Sequence, residues 1–143
     1  MSDDLEARLY GCLASRRWAH AVAAGEPAEQ AMDRLTDEEW LEAMKAHPRI
    51  GERGGDAPKS SEREQGRAMQ ASAATLAALA AENRRYEERF GHVFLIFASG
   101  RSGEEILSEL RRRLGNDPAA ELDEAKRELR KIALMRLRGL VAA

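Results

Sequence analysis

Apolar residues recur every three or four positions along most of the chain, with charged residues between them, and this spacing predicts amphipathic helices. The first predicted helix runs from about Asp3 to Ala24. We expect it to end at Gly25, with Pro27 just beyond, because glycine and proline terminate helices. Its apolar positions are Leu5, Leu9, Cys12, Leu13 and Val22.

A helix-start pattern, Ser or Thr followed three residues later by Glu, occurs three times. In such a capping box the hydroxyl accepts a hydrogen bond from the first turn, and the glutamate reaches back to the capping amide. The helix that begins at Thr36 is expected to end at His47, because Pro48 disfavours a helical conformation in the residue before it. The three predicted helices run from Thr36 through Met44 to His47, from Ser61 to about Arg89 with a stop at Gly91, and from Ser102 to Gly115.

A final helix is predicted to begin at Asp117 and Pro118, because aspartate caps helices and proline suits the first helical position. We expect this helix to end near Gly139. Its apolar stripe consists of Leu122, Ala125, Leu129, Ile132 and Leu137.

Two stretches have no helical period. Residues 48–60 contain three glycines and two prolines and predict a long loop, a kind of segment that is often functional. Val93–Ala98 is a short apolar run without a partner strand elsewhere, so we expect buried extended or helical chain there. The fold class is therefore all-α, in a single compact domain over residues 1–143 with about five to eight helices.

Composition narrows the possible functions. The chain has 143 residues, 43% of them hydrophobic, and its 23 basic and 25 acidic residues give a net charge of −2. This balance argues against a nucleic-acid-binding protein, and the short apolar runs argue against a membrane span. Cys12 is the only cysteine, so neither an intrachain disulfide nor a cysteine zinc cluster is expected. We expect a cytoplasmic protein, since the acidic N-terminus does not resemble a signal peptide.

His47 is the first candidate for chemistry. A histidine beside Pro48 and a glycine-rich loop can remain accessible and transfer protons near neutral pH. The alternative is that His47 only interacts with the dipole of the preceding helix. Glu64 and Gln65, near the start of a helix, can together bind a polar heterocycle, or Glu64 can simply complete a capping box with Ser61.

Basic residues near the C-terminus offer a different function, docking on nucleic acid or an acidic partner. A solvated helix face is the simpler explanation for them, and the arginines at 111–113 suit the end of their helix. One of these three arginines can nevertheless point into a site. The basic face of the last helix consists of Lys126, Arg127, Arg130, Lys131, Arg136 and Arg138.

The ordered motifs together resemble the 2-oxo-4-hydroxy-4-carboxy-5-ureidoimidazoline (OHCU) decarboxylase family of uric acid breakdown. The most specific pair is His-Pro-x-Ile-Gly at residues 47–51 followed by Ser-x-x-Glu-Gln at 61–65. The other matches are Cys12-x-x-Ser15-x-Arg17-Trp18-Ala19, Trp40, Phe90-Gly91-x-x-Phe94-Leu95-Ile96, Arg113-Leu114-x-Asn116 and Arg136-Leu137.

The resemblance implies an all-helical homodimer that forms (S)-allantoin by decarboxylation and uses neither a metal nor an organic cofactor. It also implies that His47 is the catalytic acid or base and that Glu64 lies beside it as its catalytic partner. The residues that it implies for substrate binding are Pro48, Ser61, Gln65, Phe94, Leu95, Ile96, Phe97 and Ala98.

The chain departs from the family pattern near the expected pocket. His92-Val93 replaces an aromatic-proline pair, and Phe97 stands where a small residue is common. We expect His92 to be an exposed loop residue rather than an extra polar group at the pocket. The alternatives are a related decarboxylase that acts on another ureido acid and a non-catalytic helical binding module.

Overall fold

Seven α-helices and one short 3-10 turn form the regular structure in the computed structural model, which describes residues 2–49 and 66–142. No strand occurs in these two ranges, and the predicted all-α fold is confirmed. None of the helices in them is long and apolar enough to cross a membrane. The helices are α1 (Ser2–Cys12), α2 (Arg16–Ala23), α3 (Ala28–Asp33), α4 (Asp37–Met44), α5 (Ala73–Phe90), α6 (Gly103–Arg113) and α7 (Pro118–Ala142), and the 3-10 turn is Ala68–Gln70.

The chain divides into two compact units. Among the described residues, the first unit holds 2–46 and 129–142, and the second holds 47–49 and 66–128. The last helix therefore contributes its N-terminal part to the second unit and the rest to the first. The single domain over residues 1–143 stays a prediction.

The single helix predicted from Asp3 to Ala24 is wrong, because the chain breaks into α1 and α2. Ser15 adopts an extended conformation with φ −130° and ψ 118°. Its hydroxyl accepts a hydrogen bond from the Trp18 amide at 3.2 Å and so caps the start of α2. The break follows from the preference of serine for a helix N-cap over a helix interior.

Helix α3 covers only six residues, and the pattern of apolar residues did not predict it. Pro27 precedes it, and Ala31 and Met32 are its buried positions. The Trp18 indole donates a hydrogen bond at 3.0 Å to the carbonyl of Ala28, so α2 and α3 are joined through a buried aromatic side chain.

The capping box of α4 is confirmed. Thr36 accepts from the Glu39 amide, and the Glu39 carboxylate accepts from the Thr36 amide. Hydrogen bonds to the Glu39 carboxylate lower its pKa to about 2, well below the ordinary value. The bond from the Arg17 side chain has the largest effect, and the bond from the Thr36 amide has the next largest. The helix ends at Met44, earlier than the predicted end at His47.

The long helix predicted from Ser61 to about Arg89 is confirmed over α5 and wrong for residues 66–72, and Ser61 itself lies outside the described residues. The 3-10 turn ends in extended chain at Ala71, and Ser72 then caps α5 by accepting from the Thr75 amide at 3.1 Å. The predicted stop is confirmed, since Gly91 adopts a left-handed conformation with φ 79°.

The two C-terminal helices begin where their patterns predict. Ser102 and Glu105 form the capping box of α6, and Pro118 is the first residue of α7. The predicted end of α7 near Gly139 is wrong, because the helix continues to Ala142. A glycine inside a helix costs only about 1 kcal/mol relative to alanine, so it does not end a long helix by itself.

Each unit buries its own apolar residues. In the second unit, α5 and α6 pack around Tyr86 and Phe94, both completely buried. In the first unit, α1 packs against α2. Its buried residues include Leu9, Leu13, Trp18, Met32, Trp40, Met44 and Ile132.

Replacement of Gly103 by alanine should destabilise the protein. A Cβ atom there would lie 2.5 Å from the Ala71 Cβ and 3.1 Å from the Ala68 carbonyl oxygen, so the backbone of the 3-10 turn must shift. We expect Gly103→Ala to lower the free energy of unfolding by about 1–3 kcal/mol. Gly139→Ala is the control, because a Cβ there meets nothing within 4 Å. Urea denaturation should show Gly139→Ala to be stabilising, and equal effects of the two variants would contradict this packing.

Candidate active site

His47 lies in a bend just beyond the end of α4 and is half-buried. Pro48 follows it and is also half-buried, and neither residue belongs to a helix. The side chain of His47 is therefore placed by the turn rather than by a helix.

An ion pair links the side chain of Arg49, two residues after His47, to helix α5. The Arg49 guanidinium donates to both carboxylate oxygens of Glu87, with Nε–Oε2 at 2.6 Å and Nη2–Oε1 at 3.0 Å. Such a bidentate pair fixes orientation as well as distance. Because both side chains are partly exposed, its main effect is on geometry rather than on stability.

The other predicted residues of this loop, Ser61, Glu64 and Gln65, lie outside the described residues. Shortly after them the described chain resumes, and the Arg67 side chain donates a hydrogen bond at 2.5 Å to the Gly100 carbonyl. Gly100 is two residues after Ala98, so this hydrogen bond links Arg67 to the end of the segment Phe94–Ala98 that is predicted to bind substrate.

The segment from Phe94 to Ala98, which we call the substrate segment after the role predicted for it, is largely buried chain that belongs to no helix or strand. The exposed fraction is 0% for Phe94 and 3% for both Leu95 and Ile96, whereas Phe97 is only half-buried. The expectation of a buried segment is confirmed, and the helical alternative is wrong.

Three side chains hold the backbone of the substrate segment. Arg113 Nη1 donates to the Leu95 carbonyl at 2.6 Å. Glu128 Oε1 accepts from the Phe97 amide at 2.8 Å, and Arg101 Nε donates to the Phe97 carbonyl at 3.1 Å. These contacts take the place of the hydrogen bonds that a helix or a sheet would supply.

A buried ion pair lies next to the substrate segment. Arg113 and Glu121, whose side chains are 1% and 0% exposed, meet with Nη2–Oε2 at 2.6 Å and Nε–Oε2 at 2.9 Å. Glu121 also accepts hydrogen bonds from the Tyr86 hydroxyl and from Asn116 Nδ2. The carboxylate is thus surrounded by donors, which is what a charge removed from water requires.

This environment fixes the protonation states of Tyr86 and Arg113. Burial, and then the hydrogen bond to Glu121, raise the pKa of the Tyr86 phenol far above its ordinary value, so Tyr86 remains a donor. Burial lowers the pKa of Arg113, but the hydrogen bond and charge of Glu121 outweigh it, and the pKa is raised overall. The guanidinium carbon of Arg113 lies 4.5 Å from the centre of the Phe94 ring, a favourable cation–π contact.

His92 is half-buried, and the expectation of an exposed loop histidine is wrong. Its ring lies edge-on to Tyr86 at 5.5 Å and stacks on Phe90 at 6.2 Å. Nδ1 of His92 lies 3.1 Å from the Val93 carbonyl oxygen. The departure from the family pattern at this position is therefore accommodated by aromatic packing.

The predicted residues His47, Pro48 and the substrate segment all belong to the second unit. Sequence reasoning missed the supporting residues Glu121, Tyr86 and Glu128. The sequence did contain a sign of these buried contacts, because Arg113 lies on the same helix face as the apolar residues Ile106 and Leu110 of α6. A charged residue on a buried stripe usually has a buried partner.

The basic face of α7 is partly neutralised. Arg130 forms ion pairs with Asp33 at 2.8 Å and with Glu29 at 3.4 Å, both on α3.

Within residues 2–49 and 66–142, no group of three or more histidine, cysteine, aspartate or glutamate side chains could hold a metal ion.

The fold and the residue pattern define an all-helical protein with His47 in a bend after α4 and a buried substrate segment that is held by Arg113 of a buried ion pair. A family model described as OHCU decarboxylase matches residues 1–138. The chain belongs to the OHCU decarboxylase family.

Individual relatives agree with this family. The chain is 40% identical over 108 residues to the uric acid degradation bifunctional protein TTL of Arabidopsis thaliana, covering 71% of this chain and 33% of that protein. It is 46% identical over 59 residues to the 2-oxo-4-hydroxy-4-carboxy-5-ureidoimidazoline decarboxylase of Amia calva, covering 41% of this chain and 34% of that protein. The chain thus spans about a third of the length of these curated relatives.

A solved structure matches over nearly the whole chain. The crystal structure of an OHCU decarboxylase in the presence of (S)-allantoin is 32% identical, with a TM-score of 0.81. The match covers 94% of this chain and 96% of the crystallised one. The arrangement of helices is therefore that of the family.

Removal of one partner of the buried ion pair should be strongly destabilising. Glu121→Leu removes the closest carboxylate from the buried Arg113 charge and leaves it only Glu124, whose Oε2 lies 3.7 Å from Nε, so we expect the free energy of unfolding to fall by about 3–5 kcal/mol. The double variant Arg113→Met/Glu121→Leu should lose less, because it buries no charge. The control is Glu109→Leu, which removes an ion pair between partly exposed side chains of Glu109 and Arg112 and should cost under about 1 kcal/mol. Equal losses for Glu121→Leu and Glu109→Leu in urea denaturation would show that the buried pair is dispensable.

Proposed function

We propose that this protein decarboxylates OHCU to (S)-allantoin in uric acid degradation, without a metal or an organic cofactor. The observation that carries the proposal is the match over 94% of the chain, at 32% identity, to an OHCU decarboxylase crystallised in the presence of (S)-allantoin. The ordered motifs support it, since His47, Pro48 and the substrate segment lie in one unit.

The substrate supplies the electron sink. Its carboxylate lies two bonds from a ring C=N, so the electrons of the breaking C–C bond pass into that C=N as carbon dioxide leaves. A proton must then be delivered to one face of the electron-rich product to give a single enantiomer. The protein has to supply orientation, preferential binding of the transition state and that proton.

We assign the proton transfer to His47 and the role of its partner to Glu64. The half-buried position of His47 in a turn supports the assignment, because the side chain is partly shielded yet not committed to the core. Glu64 would orient the imidazole or crowd the departing carboxylate. Substrate binding is assigned to Pro48, Ser61, Gln65 and the substrate segment, partly through backbone groups.

A related decarboxylase acting on another ureido acid is the second candidate, and Phe97 favours it. This half-buried side chain occupies a position where the family usually has a small residue, and its backbone is held on both sides. A larger side chain there reduces the space next to the substrate segment. A non-catalytic binding module is less supported, because Arg130 on the basic face already pairs with acidic residues of α3.

We further propose a cytoplasmic homodimer. Cys12 is buried and has no second cysteine in this sequence to pair with, which suits a reducing compartment. Leu5 and Tyr10 on α1 are both 42% exposed and are the candidate apolar contacts between two copies.

The oligomeric state can be tested by sedimentation equilibrium. We expect a mass of twice 15.9 kDa for the unmodified protein. The double variant Leu5→Lys/Tyr10→Lys should sediment as a monomer, because two charges would have to be buried in the contact. The control Glu38→Lys alters an exposed residue of α4 and should leave the mass unchanged. A monomeric unmodified protein would refute the dimer, and a dimeric double variant would refute the α1 interface.

The catalytic role of His47 can be tested by replacing it with asparagine. His47→Asn removes the proton donor, so we expect turnover to fall by at least about 100-fold, with a far-UV circular dichroism spectrum like that of the unmodified protein. Turnover is followed as the optical activity of allantoin while urate oxidase and a hydrolase for its product generate the substrate. The matched control is His20→Asn, which changes an exposed histidine in the first unit.

Near-normal turnover by His47→Asn would refute the role of His47. Slow formation of racemic allantoin at the same rate with and without the unmodified protein would refute the proposed reaction and favour the second candidate.

A further inference from the structure

The substrate segment needs outside support for its backbone. It is buried and has no helix or strand to satisfy its amides and carbonyls. A buried backbone group without a partner is costly, so the side chains that bind these groups also determine how the segment is oriented.

Two of those side chains come from positions far along the chain. Arg113, at the end of α6, binds the Leu95 carbonyl, and Glu128, on α7, binds the Phe97 amide. The two contacts lie on either side of Ile96. They hold the chain at two points with one residue between them.

The pattern of contacts indicates where the polar groups of Ile96 point. In extended chain the amide and carbonyl of one residue point to the same edge, and those of the next residue point to the opposite edge. Arg113, Glu128 and also Arg101 all contact residues 95 and 97. On an extended segment held in this way, the amide and carbonyl of Ile96 would face away from these three side chains.

We infer that Arg113 and Glu128 are positioning residues for substrate binding, which hold Leu95 and Phe97 so that the Ile96 backbone is presented to the substrate. The inference rests on the proposed function. Neither side chain takes part in the chemistry. Each acts through a hydrogen bond to the backbone of the substrate segment.

The anchor of Arg113 is rigid. Glu121 holds its guanidinium through two nitrogens, and the Phe94 ring lies against it. Tyr86 and Asn116 hold Glu121 in turn. The Leu95 carbonyl is thus bound by a donor that has little freedom to move.

Glu128 offers the cleaner test, because it is only half-buried and glutamine preserves its acceptor oxygen. We expect Glu128→Leu to raise KM for OHCU by about tenfold or more, the equivalent of one lost hydrogen bond in binding, and to change kcat by less than about twofold. Glu128→Gln should keep KM near that of the unmodified protein. Hydrogen exchange at the Phe97 amide should be faster in Glu128→Leu and unchanged in Glu128→Gln.

Arg113→Lys provides a second and independent variant. Lysine keeps the charge beside Glu121 but lacks the planar fork that reaches Glu121 and Leu95 together. We expect KM to rise as in Glu128→Leu. Arg112→Lys is the control, because Arg112 binds Glu109 and Glu124 rather than the substrate segment.

The outcomes separate this inference from the proposed function. An unmodified protein without decarboxylase activity would overturn both. An active unmodified protein together with an unchanged KM in Glu128→Leu and Arg113→Lys would overturn the positioning role alone. A KM raised equally in Glu128→Leu and Glu128→Gln would also overturn it, because the charge rather than the hydrogen bond would then matter.

Discussion

The buried ion pair between Arg113 and Glu121 is the interaction on which the second unit depends most. It removes two charges from water, and it is tolerable because Tyr86 and Asn116 donate to the carboxylate while the guanidinium also binds the Leu95 carbonyl. Apolar residues of similar size could replace such a pair at a smaller loss of stability than the removal of one partner. Apolar side chains could not donate a hydrogen bond to the Leu95 carbonyl. The ion pair therefore holds the substrate segment, which has no secondary structure, in a fixed position.

That fixed position explains how a site can include a segment with no secondary structure. A helix bonds its own backbone and a strand bonds that of its neighbour, whereas the backbone of the substrate segment is bound at Leu95 and Phe97 by the side chains of Arg113, Glu128 and Arg101. In the proposed function, the other polar groups of the segment would bind the substrate. Because backbone groups do not change with the side chain, the segment can carry an unusual residue such as Phe97 and still offer the same hydrogen-bond pattern.

Local sequence signals were sufficient for much of the fold. The capping boxes at Thr36 and Ser102, the left-handed Gly91 and the proline start of α7 each depend on contacts within a few residues, so the sequence alone predicts them. The break at Ser15 was missed because the apolar period continues across it. The break depends on one side chain, the Ser15 hydroxyl, which caps the start of α2. The order of the motifs also predicted the family, although Glu64, Ser61 and Gln65 lie outside the described residues and their roles stay predictions.

The supporting residues could not be predicted in the same way, because their contacts span long separations in sequence. Arg113 reaches back 18 residues to Leu95, and Glu128 reaches back 31 residues to Phe97. A charged residue on a buried stripe indicates only that some partner exists, since the partner is chosen by how α5, α6 and α7 pack within the second unit. The chemistry of such a site is therefore visible in short motifs, whereas its orientation is determined by tertiary contacts, and substitutions at Arg113 or Glu128 should act on binding while the motifs remain intact.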